Sequence, residues 1–278
     1  MTARHFRTGA LVAGAALVLA ACGGGGQAGG GGTTGGATAG GADLGLVKKG
    51  ALTVCSDVPY PPFEVEDASK PSGYGGFDID LLQQVADKLG VTLSVQDVSF
   101  DALQSGTTLA AGQCDVGASA ITITDARKQN LDFTDPYYDS LQSLLVKKDS
   151  GISSIKDLAG KKVGVQQGTT GKSYAQQHAA DASIVDYPSD GELWPALQAG
   201  QIDAILQDYP VNFQHQKTDP SYVVVEQYKT NEQYGFALAK GKNPKLLEAI
   251  DTELKTLRDD GTYQKIYDSY FSTAGASS

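Results

Sequence analysis

Leu109-Ala110-Ala111-Gly112-Gln113-Cys114-Asp115 and Leu197-Gln198-Ala199-Gly200-Gln201-Ile202-Asp203 spell one pattern, L-x-A-G-Q-x-D, 88 residues apart. Each copy reads as a helix end, a glycine that closes it in the left-handed conformation, and the start of a strand. A spacing of 88 is too long for a solenoid repeat. Two explanations stand: chance recurrence of a common junction, or two lobes of similar α/β design.

The flanking segments alternate in the same way on both sides. Residues 52–55 read as a strand. Phe77–Leu89 places Phe77, Leu81, Leu82, Val85, Ala86 and Leu89 on one helical face, and Gly90 stops it. Residues 91–98 alternate as a strand, 103–111 read as the helix ending in the first copy, and 114–119 as the next strand. In the second half come a strand at 162–165, helices at 171–179 and 192–199 (Pro195 near the start of the latter), and a strand at 202–206. Strands separated by single helices imply parallel sheets with helices on their faces. Residues 243–271 read as two helices broken at Asp260-Gly261.

Ligands of open α/β sheets bind beyond the carboxyl ends of the strands. Those places hold Ser56-Asp57-Val58-Pro59-Tyr60, Ser119-Ala120-Ile121-Thr122 with Arg127 further on, Gln166-Gln167-Gly168-Thr169-Thr170, and Gln207-Asp208. They supply carboxylates, one guanidinium, hydroxyls and aromatic rings. His5, His178 and His215 are scattered, so no metal cluster is legible. Gly171-Lys172-Ser173 imitates the end of a phosphate loop, but Gln166 stands where that loop needs glycine.

The segments D-x-x-Y-P-P-F-E, G-F-D-I-D-L, S-A-I-T-I-T-D-A-R-K, L-D-F-T-D-P-Y-Y, G-x-x-V-G-V-Q-Q-G-T-T and L-Q-D, in this order from about residue 46 to 271, resemble the family 3 extracellular solute-binding proteins. These are the polar amino-acid-binding components of bacterial ABC importers. The resemblance implies an α/β, two-lobed, type II periplasmic-binding-protein fold. Each lobe would be a mostly parallel sheet flanked by helices, and a two-strand hinge would join them. Lobe 1 would be 46–139 plus 231–278, and lobe 2 140–230. It also implies a monomer without cofactor that closes on a free L-amino acid and docks on a permease driven by an ATPase.

Residue by residue, the resemblance makes Arg127 the grip on the ligand α-carboxylate, a task for a planar fork of donors. Asp208 would take the α-ammonium. Thr122, the Ser119–Ala120 backbone and, from the other lobe, Thr169 and Thr170 would complete these contacts. Tyr60 and Phe100 would wall the ligand side chain, with Asp57, Gln166 and Gln207 beside it. About two extra residues around Gln104-Ser105-Gly106 blur the Phe100 assignment. Asp57, Asp208 and Arg127 sum to −1, and an uncompensated buried charge is costly. The site therefore favours arginine, lysine, ornithine or histidine over a neutral ligand such as glutamine. A glutamine-binding relative has lysine at the position of Gln166. A cyclohexadienyl-dehydratase-like enzyme is the rival on the same fold; it needs a general acid, and Glu64 is read as structural.

The N-terminus gives an address. Arg4 and Arg7 precede the uncharged run 9–21, and Leu19-Ala20-Ala21-Cys22 resembles the bacterial lipobox. Thirteen residues are too few to span a hydrocarbon core, which takes about 20. Residues 1–21 thus read as a cleaved signal, with Cys22 lipidated and holding the chain to the outside of the cytoplasmic membrane. Residues 22–45 form a Gly-rich disordered tether of roughly 25–30 Å. The formal charge is −10, and removing the two arginines of the signal leaves about −12. Such acidity excludes a nucleic-acid partner. Cys55 and Cys114 remain, either as a disulfide or as two separate buried thiols.

Overall fold

The computed structural model describes residues 44–271. The signal segment, Cys22 and residues 23–43 lie outside the described residues.

The chain opens with β1 (Ala51–Ser56), β2 (Val65–Glu66), β3 (Tyr74–Gly75) and α1 (Phe77–Leu89), followed by β4 (Thr92–Asp97). Two short helices, α2 (Phe100–Gln104) and α3 (Thr107–Ala110), lead to β5 (Val116–Gly117) and β6 (Leu131–Phe133). The long β7 (Tyr138–Lys147) crosses to a second sheet, built with β8 (Lys162–Gln166), α4 (Thr170–His178), β9 (Ser183–Tyr187), α5 (Asp190–Gln198), β10 (Ala204–Asp208) and α6 (Tyr209–Thr218). The equally long β11 (Tyr222–Tyr234) crosses back to β12 (Ala237–Ala239), α7 (Pro244–Asp259) and α8 (Thr262–Phe271).

The sheets have orders β4-β1-β5-β12-β6 and β9-β8-β10-β7-β11. In each, four strands run one way and one runs against them, β12 in the first and β7 in the second. The two orders superimpose position for position, so the lobes share one design. The repeated heptapeptides sit before β5 and β10, which are equivalent strands. Gly112 (φ 68) and Gly200 (φ 70) both adopt the left-handed conformation. Asp115 donates its N–H to the Thr53 carbonyl at 2.9 Å, and its Oδ2 accepts the Thr53 N–H at 2.8 Å. Asp203 does the same to Lys162, at 2.8 Å for both bonds. The aspartate of the pattern thus ties the third strand of each lobe to the first.

Apolar layers cover both faces of both sheets. Leu52 and Val54 point to a core shared with α1, α7 and the aromatic side chains of α8. Cys55 points the other way, to Phe100, Leu103, Leu109 and Cys114. A disulfide joins Cys55 to Cys114. In the second lobe Val163, Val165 and Leu206 face α4, whereas Leu145 and Ile205 face α5. Leu246, Ile250, Leu254 and Leu257 form the buried stripe of α7, which returns the chain end to the first lobe.

Local differences from the sequence reading have physical causes. The helix expected at 103–111 starts earlier, because the Ser99 side chain caps it by accepting the Ala102 N–H at 3.3 Å. It then breaks at Gly106, whose φ of 83 is left-handed. Helix α5 begins at Asp190, so Pro195 lies inside it rather than near its start. The long β7 and β11 pair antiparallel, and after its apolar start at residues 222–225, β11 alternates half-buried and exposed residues, mostly polar, which carry little apolar signal.

Candidate functional site

The segments singled out in the sequence converge. Asp57 follows β1, Phe100 opens α2, Ser119, Ala120 and Thr122 follow β5, and Arg127 starts a 3-10 turn before β6. From the other lobe come Gln166 at the end of β8, Thr169 and Thr170 at the start of α4, and Asp208 at the end of β10. With Tyr60, these eleven residues line one narrow cavity. Gln207 is absent from the lining. Its amide donates to Asp190 Oδ1 at 2.9 Å and Asn212 Oδ1 at 3.1 Å, inside the second lobe. That network turns the Gln207 amide nitrogen toward α5 and α6 rather than into the cavity.

Arg127 is 6% exposed. Nη1 donates to the Thr122 carbonyl at 2.7 Å and Nη2 to the Gly168 carbonyl of the other lobe at 3.0 Å. Its guanidinium carbon lies 5.3 Å from the Phe100 ring centroid, in cation–π contact. Phe100 therefore serves as core and as cavity wall. Burial lowers the Arg127 pKa to about 10, which leaves it a cation at neutral pH.

Asp208 has three donors. Tyr60 and Tyr234 hydroxyls reach Oδ2 at 2.9 and 2.6 Å, and the Gln142 amide reaches Oδ1. Burial, and next the charge of Glu232, still push its pKa up to about 7. Asp57 Oδ2 accepts from Gln166 Nε2 across the cleft at 2.6 Å. Burial raises Asp57 to about 7 as well. Each carboxylate has been taken out of water without a cation bonded to it, which costs free energy until one arrives.

A second layer holds these groups. Glu64 is fully buried; its Oε1 accepts the Ser119 hydroxyl at 2.6 Å, and Ser119 Oγ accepts the Asp57 N–H at 3.2 Å. Asp78 accepts the Ala120 N–H at 2.9 Å and the Tyr137 hydroxyl at 2.7 Å. The Ala120 N–H is thus committed to the protein, and Ala120 sits at φ 45 to make that bond. The Thr169 hydroxyl is likewise engaged, accepting the Lys172 N–H at 3.1 Å and donating to the Gln166 carbonyl at 2.8 Å. It caps α4, while the Thr170 hydroxyl beside it faces the cavity and donates to Glu232 Oε2 at 3.2 Å.

Sequence reasoning missed Gln142 and Glu232. Gln142 Nε2 lies 2.9 Å from Glu232 Oε2, which also accepts Thr170 at 3.2 Å and Thr122 at 3.4 Å. The available hint was a glutamine in the run Tyr138–Lys147, otherwise apolar toward its end. Among the described residues no cluster of His, Cys, Asp or Glu is arranged to hold a metal ion.

The site has counterparts among known proteins. The model of the bacterial extracellular solute-binding proteins, family 3, matches residues 52–273. The ABC transporter glutamine-binding protein GlnH of Bacillus subtilis (strain 168) is 34% identical over 194 residues, 69% of this chain and 71% of its own. An ancestral arginine-binding protein bound to arginine superimposes with a TM-score of 0.73 at 37% identity, covering 80% of this chain and 99% of the other. The ancestral amino acid-binding protein AncCDT-1, a precursor of cyclohexadienyl dehydratase, gives a TM-score of 0.73 at 37% identity over 80% and 96%.

Proposed function

The chain belongs to the bacterial extracellular solute-binding proteins of family 3, and on that premise we propose that it is an extracytoplasmic receptor for a cationic L-amino acid, delivered to the permease of an ABC importer. The observation that carries the reading is charge placement. One guanidinium and two buried carboxylates face one cavity between lobes. Arg127 would take the α-carboxylate through its fork of donors. Asp208, whose oxygens accept from Tyr60, Tyr234 and Gln142, would take the α-ammonium. Asp57, held at one oxygen by Gln166, would meet the side-chain cation. A ligand touching both lobes favours the closed form by its differential affinity, and that form would dock on the permease.

Thermal-shift screening of residues 44–278 against the twenty amino acids, ornithine and citrulline tests the proposal. At a hundred times its Kd a binder adds about 2.7 kcal/mol. The largest shifts are expected from arginine, lysine, ornithine or histidine. A shift with glutamate alone, or none with any amino acid, would sink it.

A neutral ligand is the second reading. Gln166 already answers part of the Asp57 charge, so an amide side chain could take the other oxygen, and the relative in Bacillus subtilis is named for glutamine. A larger shift with glutamine than with arginine selects it. Turnover of added arogenate would instead select a dehydratase.

Cys22 is proposed as the lipid anchor, with the Gly-rich segment as leash. Two acyl chains suffice for stable anchoring. Cys22→Ala is then expected to move the protein from the membrane pellet to the soluble fraction. An unchanged distribution removes the anchor from the picture.

A further inference from the structure

Glu232 lies on β11, one of the two strands that cross between the sheets, opposite Ser140 of β7. The ladder is irregular between Tyr228 and Glu232, and Asn231 there adopts φ 56. Asparagine tolerates this left-handed conformation better than most residues, and such irregularities re-aim the side chains beside them. Here the re-aimed side chain is Glu232. Two residues on, Tyr234 shares its face of the strand and donates to Asp208 at 2.6 Å.

One oxygen of Glu232 gathers donors from three segments. Oε2 accepts Gln142 Nε2 of β7 at 2.9 Å, Thr170 of α4 at 3.2 Å and Thr122 of the first lobe at 3.4 Å. The same Gln142 nitrogen also donates to Asp208 Oδ1. A primary amide has two protons, so it gives one to each carboxylate and holds the pair at a fixed separation. Thr122 and Thr170 line the cavity, whereas Glu232 and Gln142 stand behind it.

We infer that Glu232 is a positioning residue of the amino-acid site: through Gln142 and Thr170 it sets the Asp208 carboxylate and a cavity hydroxyl in place, and it makes the Asp208 corner demand a cation. The inference rests on the proposed amino-acid reading. The charge of Glu232 is also the main electrostatic influence raising the Asp208 pKa. The other groups around Asp208 are Tyr60, Tyr234 and Gln142 by hydrogen bond, with Glu64, Tyr138 and Arg127 at longer range.

The test uses the full domain and two variants. Glu232→Gln keeps shape and removes charge. Glu232→Asp keeps charge and withdraws the carboxylate from its donors. Calorimetry with L-arginine at pH 7.5 is expected to show binding weakened about tenfold in both, the loss expected for one charged contact. NMR titration of the Asp208 side-chain carboxyl carbon, without amino acid, is expected to show its midpoint at lower pH in E232Q and near wild type in E232D. A merely structural role would not separate the two variants in that titration. Asp208→Asn is run beside them. If it loses L-arginine binding while E232Q keeps both affinity and midpoint, the role of Glu232 is overturned and the site reading survives. If D208N also binds as wild type, the site reading itself fails.

Discussion

Arg127 and Asp208 illustrate how far residue type predicts chemistry. Each is buried, each faces the cavity, and neither bonds an opposite charge among the described residues. Arg127→Ala and Asp208→Ala should each weaken amino-acid binding by at least about 2 kcal/mol, the range for a hydrogen bond to a charged group. Isothermal calorimetry reads this, and near-wild-type affinity in either variant contradicts the assignment. Asp57 makes a sharper case. Burial raises both Asp57 and Asp208 to about 7, so a cationic ligand must displace a proton from each as pH falls below 7. Affinity for L-arginine should then fall by up to about a hundredfold per pH unit in wild type, two protons linked, and about tenfold in Asp57→Asn, one proton linked. Equal slopes between pH 5 and 7 would remove Asp57 from the ligand's surroundings. Asp57 and Asp208 were legible in the sequence because they stand at the carboxyl ends of strands, whereas Arg127, ten residues past β5, was legible only through the T-D-A-R segment of the family resemblance. Glu232 and Gln142 were not. Their meeting depends on the backbone irregularity at Asn231 and on the pairing of two distant strands, neither of which a local pattern encodes. Gln207 shows the opposite case: it is next to Asp208 in sequence, yet its amide nitrogen bonds Asp190 and Asn212 on the other side of the strand.

At the scale of elements, the repeated heptapeptide proves to be a structural device rather than a trace of binding chemistry. Its glycine turns the chain out of the helix, and its aspartate ties the next strand to the first strand of the lobe. The two copies differ in depth. Asp115 is buried and also accepts the Val47 N–H at 2.7 Å and the Thr53 hydroxyl, whereas Asp203 is exposed. Asp115→Ala strands several buried donors and should cost about 3 kcal/mol in urea unfolding; Asp203→Ala should cost clearly less. Equal losses would mean that the shared pattern, not burial, sets the energy. The strands and helices around the copies were legible because their apolar period is regular. The crossing strands escaped local reading since β11 turns mostly polar from Glu226 on; only the order of motifs along the whole chain implied a hinge. The break in the first lobe between α2 and α3 comes from Gly106, whose left-handed φ a continuous helix cannot accommodate.

At the scale of the molecule, two sheets of one order face each other across a cleft whose walls carry buried acids. Hydrogen bonds span it: Gln166 to Asp57, Arg127 to the Gly168 carbonyl, Tyr60 to Asp208. This arrangement makes the stability of the domain depend on pH in an unusual direction. Asp57, Asp78 and Asp208 are each raised to about 7, chiefly by burial. A carboxyl whose folded pKa is raised binds protons more tightly folded than unfolded. Its contribution is complete below the unfolded pKa of about 4 and is lost as pH rises through about 7. The carboxylates held low, such as Asp132 beside Lys240 and Asp157 among serine donors, act oppositely, but their window lies below the usual carboxylate range. Between pH 5 and 8 the raised group dominates, so Tm of the domain should fall across that interval in the absence of amino acid. Saturating L-arginine should flatten the fall, because a bound cation stabilises the ionised forms of Asp57 and Asp208. It should not abolish it, because Asp78 lies behind the cavity and keeps its own dependence. Differential scanning calorimetry at pH 5 and 8, with and without 1 mM-scale ligand, reads all three statements, and a Tm that rises with pH in the free domain would show that the cleft acids are not titrating in the folded state as their burial requires.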